Sequence, residues 1–188
     1  SLYLQNYHKE YSFENKINKI YTSVIPHISK INYFIYALNN DFCTGWINCG
    51  SVHKYNDLKN YKDLINKLEN KKLLGYETKY FIEHIKYKYI LYNDGNTLSD
   101  RMNLLLNINS VIIKKESSYE EFFWYLLKNN INYIEYKNEE ELKNIYIYLE
   151  NNTNICKNII NNNKNFVNNI LTYDNILEYV YLLLSFIN

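Results

Sequence analysis

Residues 86–123 read KYKYILYNDGNTLSDRMNLLLNINSVIIKKESSYEEFF, and the order of elements in this stretch decides the fold. Positions 87–92 are bulky β-formers and predict a buried strand. Asn93-Asp94-Gly95-Asn96 then predicts a tight turn. Thr97 is placed to cap a helix over 98–106, with Asp100 three residues on as its capping-box partner. Positions 110–114 (SVIIK) predict a second strand. Ser118 and Glu121 form a capping box for a second helix over 119–128. Strand, helix, strand, helix in this order implies parallel strands joined by helical crossovers.

The same alternation extends outward. Positions 20–25 (IYTSVI) predict a strand, and Pro26 suits the first turn of the helix that follows. Ile28, Ile31, Ile35 and Leu38 share one face of that helix. A strand is expected over 42–48 and an amphipathic helix over 58–72. Downstream lie a strand over 132–136 and a helix carrying Leu142, Ile145 and Leu149 on one face. Two closing helices follow, one with Ile155, Ile159, Phe166 and Ile170 on its apolar face, the other with Ile176, Val180, Leu184 and Ile187. The expected fold is α/β: a Rossmann-like, mostly parallel sheet with helices on both faces, closed by two to three helices. One domain is expected over 1–188, with 1–18 as an arm or connection and 151–188 as C-terminal helices.

Composition narrows the function classes. The chain has 188 residues, 47% of them hydrophobic and 22% charged, which is ordinary for a globular domain. Its formal net charge is +1, without the basic excess of a nucleic-acid-binding domain. The 22 tyrosines, with abundant Asn, Ile and Lys, one Pro and four Gly, match the codon bias of an AT-rich genome. Cys43, Cys49 and Cys156 form no CxxC pair and are expected as reduced thiols. His8, His27, His53 and His84 have no metal-ligand spacing. No apolar run approaches the ~18 residues of a membrane span, and the first residues carry no signal-peptide pattern. A cytoplasmic setting is therefore expected.

Two strand exits are equipped for ligands, which in open α/β sheets bind outside the carboxyl ends of the strands. At the first, Gly95 allows close approach to the backbone, and a helix start aims free N–H groups forward. Arg101 adds a planar cationic fork that suits phosphate oxygens. The competing reading is a plain hairpin, for which Asn-Asp-Gly is a strong signal, with Arg101 on the surface. At the second exit, Lys114 or Glu116 would stand beside a nucleotide. The competing reading there is a helix capped by Glu121 with solvated lysines. Among the catalytic arrangements, no Ser/His/Asp or Cys/His set, Walker loop or GxGxxG is present.

Lys86-Tyr87-Lys88-Tyr89, Asp94-Gly95-Asn96, Ser99, Arg101, Ser110-Val111, Lys114, Glu116-Ser117, Tyr119 and Glu121-Phe122-Phe123 together resemble the C-terminal half of glycosyltransferase family 90, the capsule-associated and protein O-glucosyltransferases. Tyr133 and the helix from Glu139 continue the resemblance, which covers about 86–187 well and 10–85 loosely. Where the family carries an Arg-Gly-Ser-like motif, this chain has Tyr21-Thr22-Ser23 and retains the serine. The resemblance implies the C-terminal half of a GT-B enzyme that binds a UDP-sugar and transfers glucose or xylose to a hydroxyl. Transfer would proceed with inversion and without a metal, with the UDP-sugar as donor substrate and no other cofactor. It places Arg101 on the diphosphate. Ser23, Asp94, Gly95, Asn96 and Ser99 would line the donor pocket, and Lys114, Tyr119 and Glu121 would lie near the nucleoside. It further implies an N-terminal acceptor domain, carrying the acidic base, and a protein or glycan acceptor. The alternative is a degenerate member that keeps the fold as a binding or scaffold module.

Overall fold

Among the described residues six strands form: β1 (Ile17–Val24), β2 (Cys43–Asn48), β3 (Leu74–Gly75), β4 (Tyr87–Tyr92), β5 (Val111–Lys115) and β6 (Ile134–Tyr136). The structure, a computed structural model, describes residues 11–24, 28–48, 62–75, 81–94, 101–119 and 122–186. The strands make one sheet of order β3-β2-β1-β4-β5-β6, and every pairing in it is parallel. Connecting and closing helices are α1 (Ile28–Leu38), α2 (Lys62–Asn70), α3 (Met102–Leu105), α4 (Glu141–Asn151), α5 (Thr153–Asn169) and α6 (Tyr173–Ser185). The expected α/β fold, Rossmann-like with helices on both faces, is the one observed.

Alternation along the strands divides the core into two layers. Ile20, Tyr89, Leu91, Val111 and Ile113 point to one face, where they meet α1, α2, α4 and α5 through Phe34, Leu68, Leu142 and Ile159. Tyr21, Ile90, Tyr92 and Ile112 point to the other and meet Ile85, Met102, Leu105, Phe123 and Trp124. β4 and β5 are covered on both faces, which explains their unbroken apolar sequences. Gly45 lets α1 settle onto β2: a Cβ there would lie 2.5 Å from the Thr22 carbonyl oxygen and 3.0 Å from the Phe34 ring. The buried Tyr33 hydroxyl shares its bond between the carbonyls of Thr44 (2.7 Å) and Ile20 (2.9 Å), tying the same helix to β1 and β2.

At the amino ends of the strands, Lys16 is a buried pin. Its ammonium donates to the carbonyls of Ile85 and Ile108, both at 2.6 Å, and to Ser110 Oγ at 3.0 Å. Three acceptors match the three donors of an ammonium. Burial, reinforced by the charge of Lys164, pushes its pKa down to about 7. Ser110 Oγ in turn donates to the Tyr87 carbonyl at 2.7 Å, so β1, β4 and β5 are joined before the sheet opens toward its carboxyl ends.

Several sequence expectations shift. β1 begins at Ile17 and Phe13 is buried against Tyr89, so the fold starts within the stretch expected as an arm. β3 was not expected; two residues are too few to show a period of two. The helix expected over 119–128 is replaced, in its described part, by a 3-10 turn at Trp124–Leu126. Phe123, Trp124 and Leu127 are all buried there, with Trp124 stacked on Tyr92 and Phe123 against Phe166. Adjacent large rings that must both reach the core override a weak helical preference. Asn132 then closes the turn: its Oδ1 accepts from the Lys128 N–H at 3.0 Å. The last helix forms as expected, capped by Thr172, but none of its residues is buried. Cys43 and Cys156 are free and buried, and Cys49 lies outside the described residues. Among the described residues, no helix is long and apolar enough to cross a membrane.

Candidate functional site

In the order β3-β2-β1-β4-β5-β6 the crossovers run in opposite directions from the middle, so β1 and β4 flank the switch point. Ligands of such sheets bind in the crevice at the carboxyl ends of those two strands. Here β1 delivers Tyr21, Thr22 and Ser23, and β4 runs into Asn93 and Asp94. The Thr22 hydroxyl donates to the Leu91 carbonyl at 3.2 Å, which holds the two strands in register just below the exit.

Arg101 bridges the crevice. It stands at the N-cap position of α3, half-buried, and its Nη1 donates to the Ser23 carbonyl at 2.7 Å. A guanidinium presents five donors in a rigid fork, so this bond fixes a cation across the mouth between β1 and β4. The hairpin reading of Asn-Asp-Gly is excluded, because β4 and β5 pair in parallel and parallel strands need a crossover.

Beneath Arg101 lies His84, only 3% exposed. Its Nδ1 lies 3.1 Å from the Phe81 carbonyl, which assigns the proton to that nitrogen. The buried Nε2 has no partner among the described residues. The imidazole stacks on Phe81 and meets the Tyr21 ring edge-on. Burial and the Arg101 charge push its pKa down to about 4, so it is neutral at physiological pH. Tyr21, itself stacked flat on Tyr87 at 4.3 Å, has its phenol pushed up by burial.

Around the β4 exit, Asn93 Oδ1 accepts from the Tyr136 hydroxyl at 2.6 Å, so β6 helps to hold the loop that starts there. Asp94 follows, with a buried Oδ1 that has no partner among the described residues. Lys114 stands beside Tyr92 in the β4–β5 register. It is 2% exposed rather than solvated, and its ammonium lies 4.8 Å from the Trp124 ring centre and 5.9 Å from that of Tyr133. It also donates to the Lys115 carbonyl at 3.1 Å. Tyr119 is 48% exposed, and its N–H donates to Ser117 Oγ at 3.0 Å.

Of the residues singled out from sequence, the structure joins Ser23 to Arg101 directly and places Asp94 and Lys114 at adjacent strand ends. Tyr119 stands further out, on the connection after β5. Gly95, Asn96, Ser99 and Glu121, with the cap expected at Thr97, lie outside the described residues. Sequence reasoning did not single out His84, Asn93 or Tyr136 for the site. Asn93 had a signal, being a polar residue that ends an apolar strand; His84 had none, since its partners come from three separate segments. Among the described residues, no three His, Cys, Asp or Glu side chains converge as a metal site would require.

The sequence profile described as Glycosyl transferase family 90 matches residues 47–186. The chain belongs to this family. The match takes in nearly all of the stretch whose motifs carry the resemblance, and leaves β1 with Ser23 outside. No curated protein matches the sequence. Among solved structures, the family 90 chain is similar to the C-terminal domain of the group 1 glycosyl transferase LpcC from Francisella tularensis. That match has 10% identity and a TM-score of 0.58 over 90% of this chain and 93% of the other. It is also similar to Anabaena HepE in complex with UDP-glucose, at 10% identity and a TM-score of 0.66. There 97% of this chain is covered but 52% of HepE, so the chain spans about half of that protein. The CMP-Kdo-binding C-terminal domain of WaaA from Acinetobacter baumannii matches at 8% identity and a TM-score of 0.51, over 88% of this chain and 96% of the other. At such identities the likeness is one of fold.

Proposed function

We propose that this chain is the sugar-nucleotide half of a UDP-sugar-dependent glycosyltransferase, acting on a glucosyl or xylosyl donor and working with a separate acceptor domain. The observation that carries the reading is the Arg101 guanidinium drawn across the β1–β4 crevice onto the Ser23 carbonyl. A fixed cationic fork at a switch point suits a diphosphate. Family membership and the similarity to HepE, solved with UDP and with UDP-glucose, support the same ligand class.

In the proposed reaction the acceptor hydroxyl oxygen attacks the anomeric carbon from the face opposite UDP. The new carbon–oxygen bond forms as the bond to the β-phosphate oxygen breaks, and the electron pair leaves with UDP. The configuration inverts, and the acceptor proton passes to a base supplied by the acceptor domain. Arg101 stabilises the charge that grows on the departing diphosphate, the task a metal performs elsewhere. By the family resemblance Asp94, Gly95, Asn96 and Ser99 would line the donor pocket, and Lys114, Tyr119 and Glu121 would lie near the nucleoside; Gly95, Asn96, Ser99 and Glu121 lie outside the described residues.

One observation favours a second reading. The position of the family's Arg-Gly pair holds Tyr21-Thr22, with Tyr21 buried in a stack on Tyr87 and Thr22 bonded inside the sheet. A member altered in this way would keep the fold as a binding or scaffold module and have lost transfer. Thermal unfolding with UDP is the first test. Saturation to 100 times Kd raises stability by about 2.7 kcal/mol, and Arg101→Ala weakens binding by about 1.5–3 kcal/mol. No shift at millimolar UDP, with Arg101→Ala melting like the wild type in its presence, rejects nucleotide binding and leaves the scaffold reading.

A further inference from the structure

His84 belongs to a chain of contacts that ends at the crevice. Its ring lies 5.1 Å from that of Tyr21, edge-on, and 5.1 Å from that of Phe81, stacked. The Tyr21 hydroxyl in turn meets the Ser23 side chain, and the Ser23 carbonyl holds Arg101. The two ring nitrogens of this buried imidazole have different fates. Nδ1 keeps its proton on the Phe81 carbonyl, whereas Nε2 presents a lone pair with no partner among the described residues. A bond between Arg101 and a diphosphate leaves that nitrogen unused.

We propose that His84 is a proton-linked second cation of the diphosphate site: an anion docked on Arg101 draws a solvent proton onto Nε2. The inference rests on the nucleotide-sugar reading of the crevice. Burial and the Arg101 charge keep the imidazole neutral in the free chain. A diphosphate on Arg101 offsets the second of these and brings negative charge of its own, which favours the imidazolium. On its own 3-10 helix (Phe81–Lys86), the Phe81 carbonyl and Glu83 also favour the charged ring, and Glu83 pairs with Lys86 at 2.7 Å. Tyr21 of β1 and Tyr87 of β4 have their phenols pushed up by burial and stay neutral. Asp94, just past β4, is the described carboxylate at the crevice itself. The coupling is reciprocal, so a proton on His84 raises affinity for the anion by the factor by which the anion raises affinity for the proton. His84 acts through the field at Arg101 and is a positioning residue. UDP leaves the sugar with more negative charge than it carried in the donor, so the imidazolium stabilises the departure as well as the binding.

UDP-glucose is the probe, because the terminal phosphate of UDP itself takes up a proton at about pH 6. Calorimetry at about pH 5 in buffers of different ionisation enthalpy is expected to show proton uptake on binding. From about pH 7.5 to 5 the affinity of the wild type is expected to rise at least threefold more than that of His84→Phe, which keeps a ring in the stack. Asp94 is common to both chains and cancels in the comparison. If His84→Phe fails to fold, the imidazole is read directly by NMR. With His8→Gln, His27→Gln and His53→Gln together, the one remaining imidazole is expected to titrate at about 4 in the free chain. With saturating UDP-glucose its midpoint is expected at least about one unit higher. A midpoint unmoved by bound UDP-glucose, or a wild-type pH profile no steeper than that of His84→Phe, overturns the proposal and leaves the donor reading standing. Absence of UDP-glucose binding at every pH overturns both.

Discussion

Burial and the Arg101 guanidinium hold the His84 imidazole at about 4, below the ordinary value of about 6.5. The unfolded chain therefore takes up a proton as pH falls through about 6.5, while the folded chain resists until about 4. Between those values the unfolded state binds more protons, so stability falls with pH. The contribution is complete above pH 6.5 and lost toward pH 4, a span worth about 3 kcal/mol. Denaturant titrations of the wild type and His84→Phe at pH 7.5 and 4.5 check this. The variant is expected to show the shallower pH dependence, because carboxylate titration is common to both chains. Equal slopes would mean that the imidazole does not carry the effect. Residues of this kind mark the limit of sequence reading at the site. Arg101 was legible because a cation near a helix start after an Asn-Asp-Gly turn is a local pattern. Its bond to Ser23 spans 78 positions, and His84 is defined by Phe81, Tyr21 and Arg101 together. Lys114 looked like a solvated lysine because its ring partners, Trp124 and Tyr133, come from later segments.

Between α1 and β2 the contact depends on the absence of one carbon. An alanine at Gly45 would drive its Cβ to 2.5 Å from the Thr22 carbonyl oxygen, a backbone atom inside the β1–β2 ladder that has no room to give. At Gly75 the Cβ would instead meet the Trp46 ring at 2.5 Å, and a side chain moves more readily than a strand. Gly45→Ala is expected to cost about 1–3 kcal/mol, in line with other overpacked sites, and Gly75→Ala less. Urea unfolding at constant m-value measures both, and a larger loss at Gly75 would refute the ranking. Elements with strong periodicity were legible: β4 falls at 87–92, as its residues indicate, and α1, α4 and α5 form where their apolar faces predict. The failures share one cause, which is that tertiary contacts outweigh local pattern. β3 exists because Leu74 and Gly75 complete an edge beside β2. The segment around Trp124 abandons the expected helix because neighbouring rings must both be buried. The apolar face of α6 was legible as helix, yet none of the helix's residues is buried.

At the scale of the whole molecule, the sheet order places the proposed donor site at the carboxyl ends of β1 and β4, and the proposed acceptor domain would face it there. An inverting transfer needs the attacking hydroxyl on the far side of the anomeric carbon from the diphosphate. On the proposed reading the crevice holds the diphosphate at Arg101, and the hydroxyl and its base come from the acceptor domain. HepE, of which this chain spans 52%, has the length for a second half. Donor binding and transfer are therefore expected to separate in the 188-residue chain. UDP-glucose or UDP-xylose should raise its melting temperature, with Arg101→Ala reducing the effect. The donor should nevertheless remain intact during prolonged incubation with simple glycosides or peptides bearing free hydroxyls. Measuring released UDP and glycosylated product in the same reaction decides the matter. Turnover by the chain alone, abolished in Arg101→Ala, would mean that this sheet carries its own base and acceptor surface. Asp94, whose buried Oδ1 is without a partner among the described residues, would then be the first carboxylate to replace.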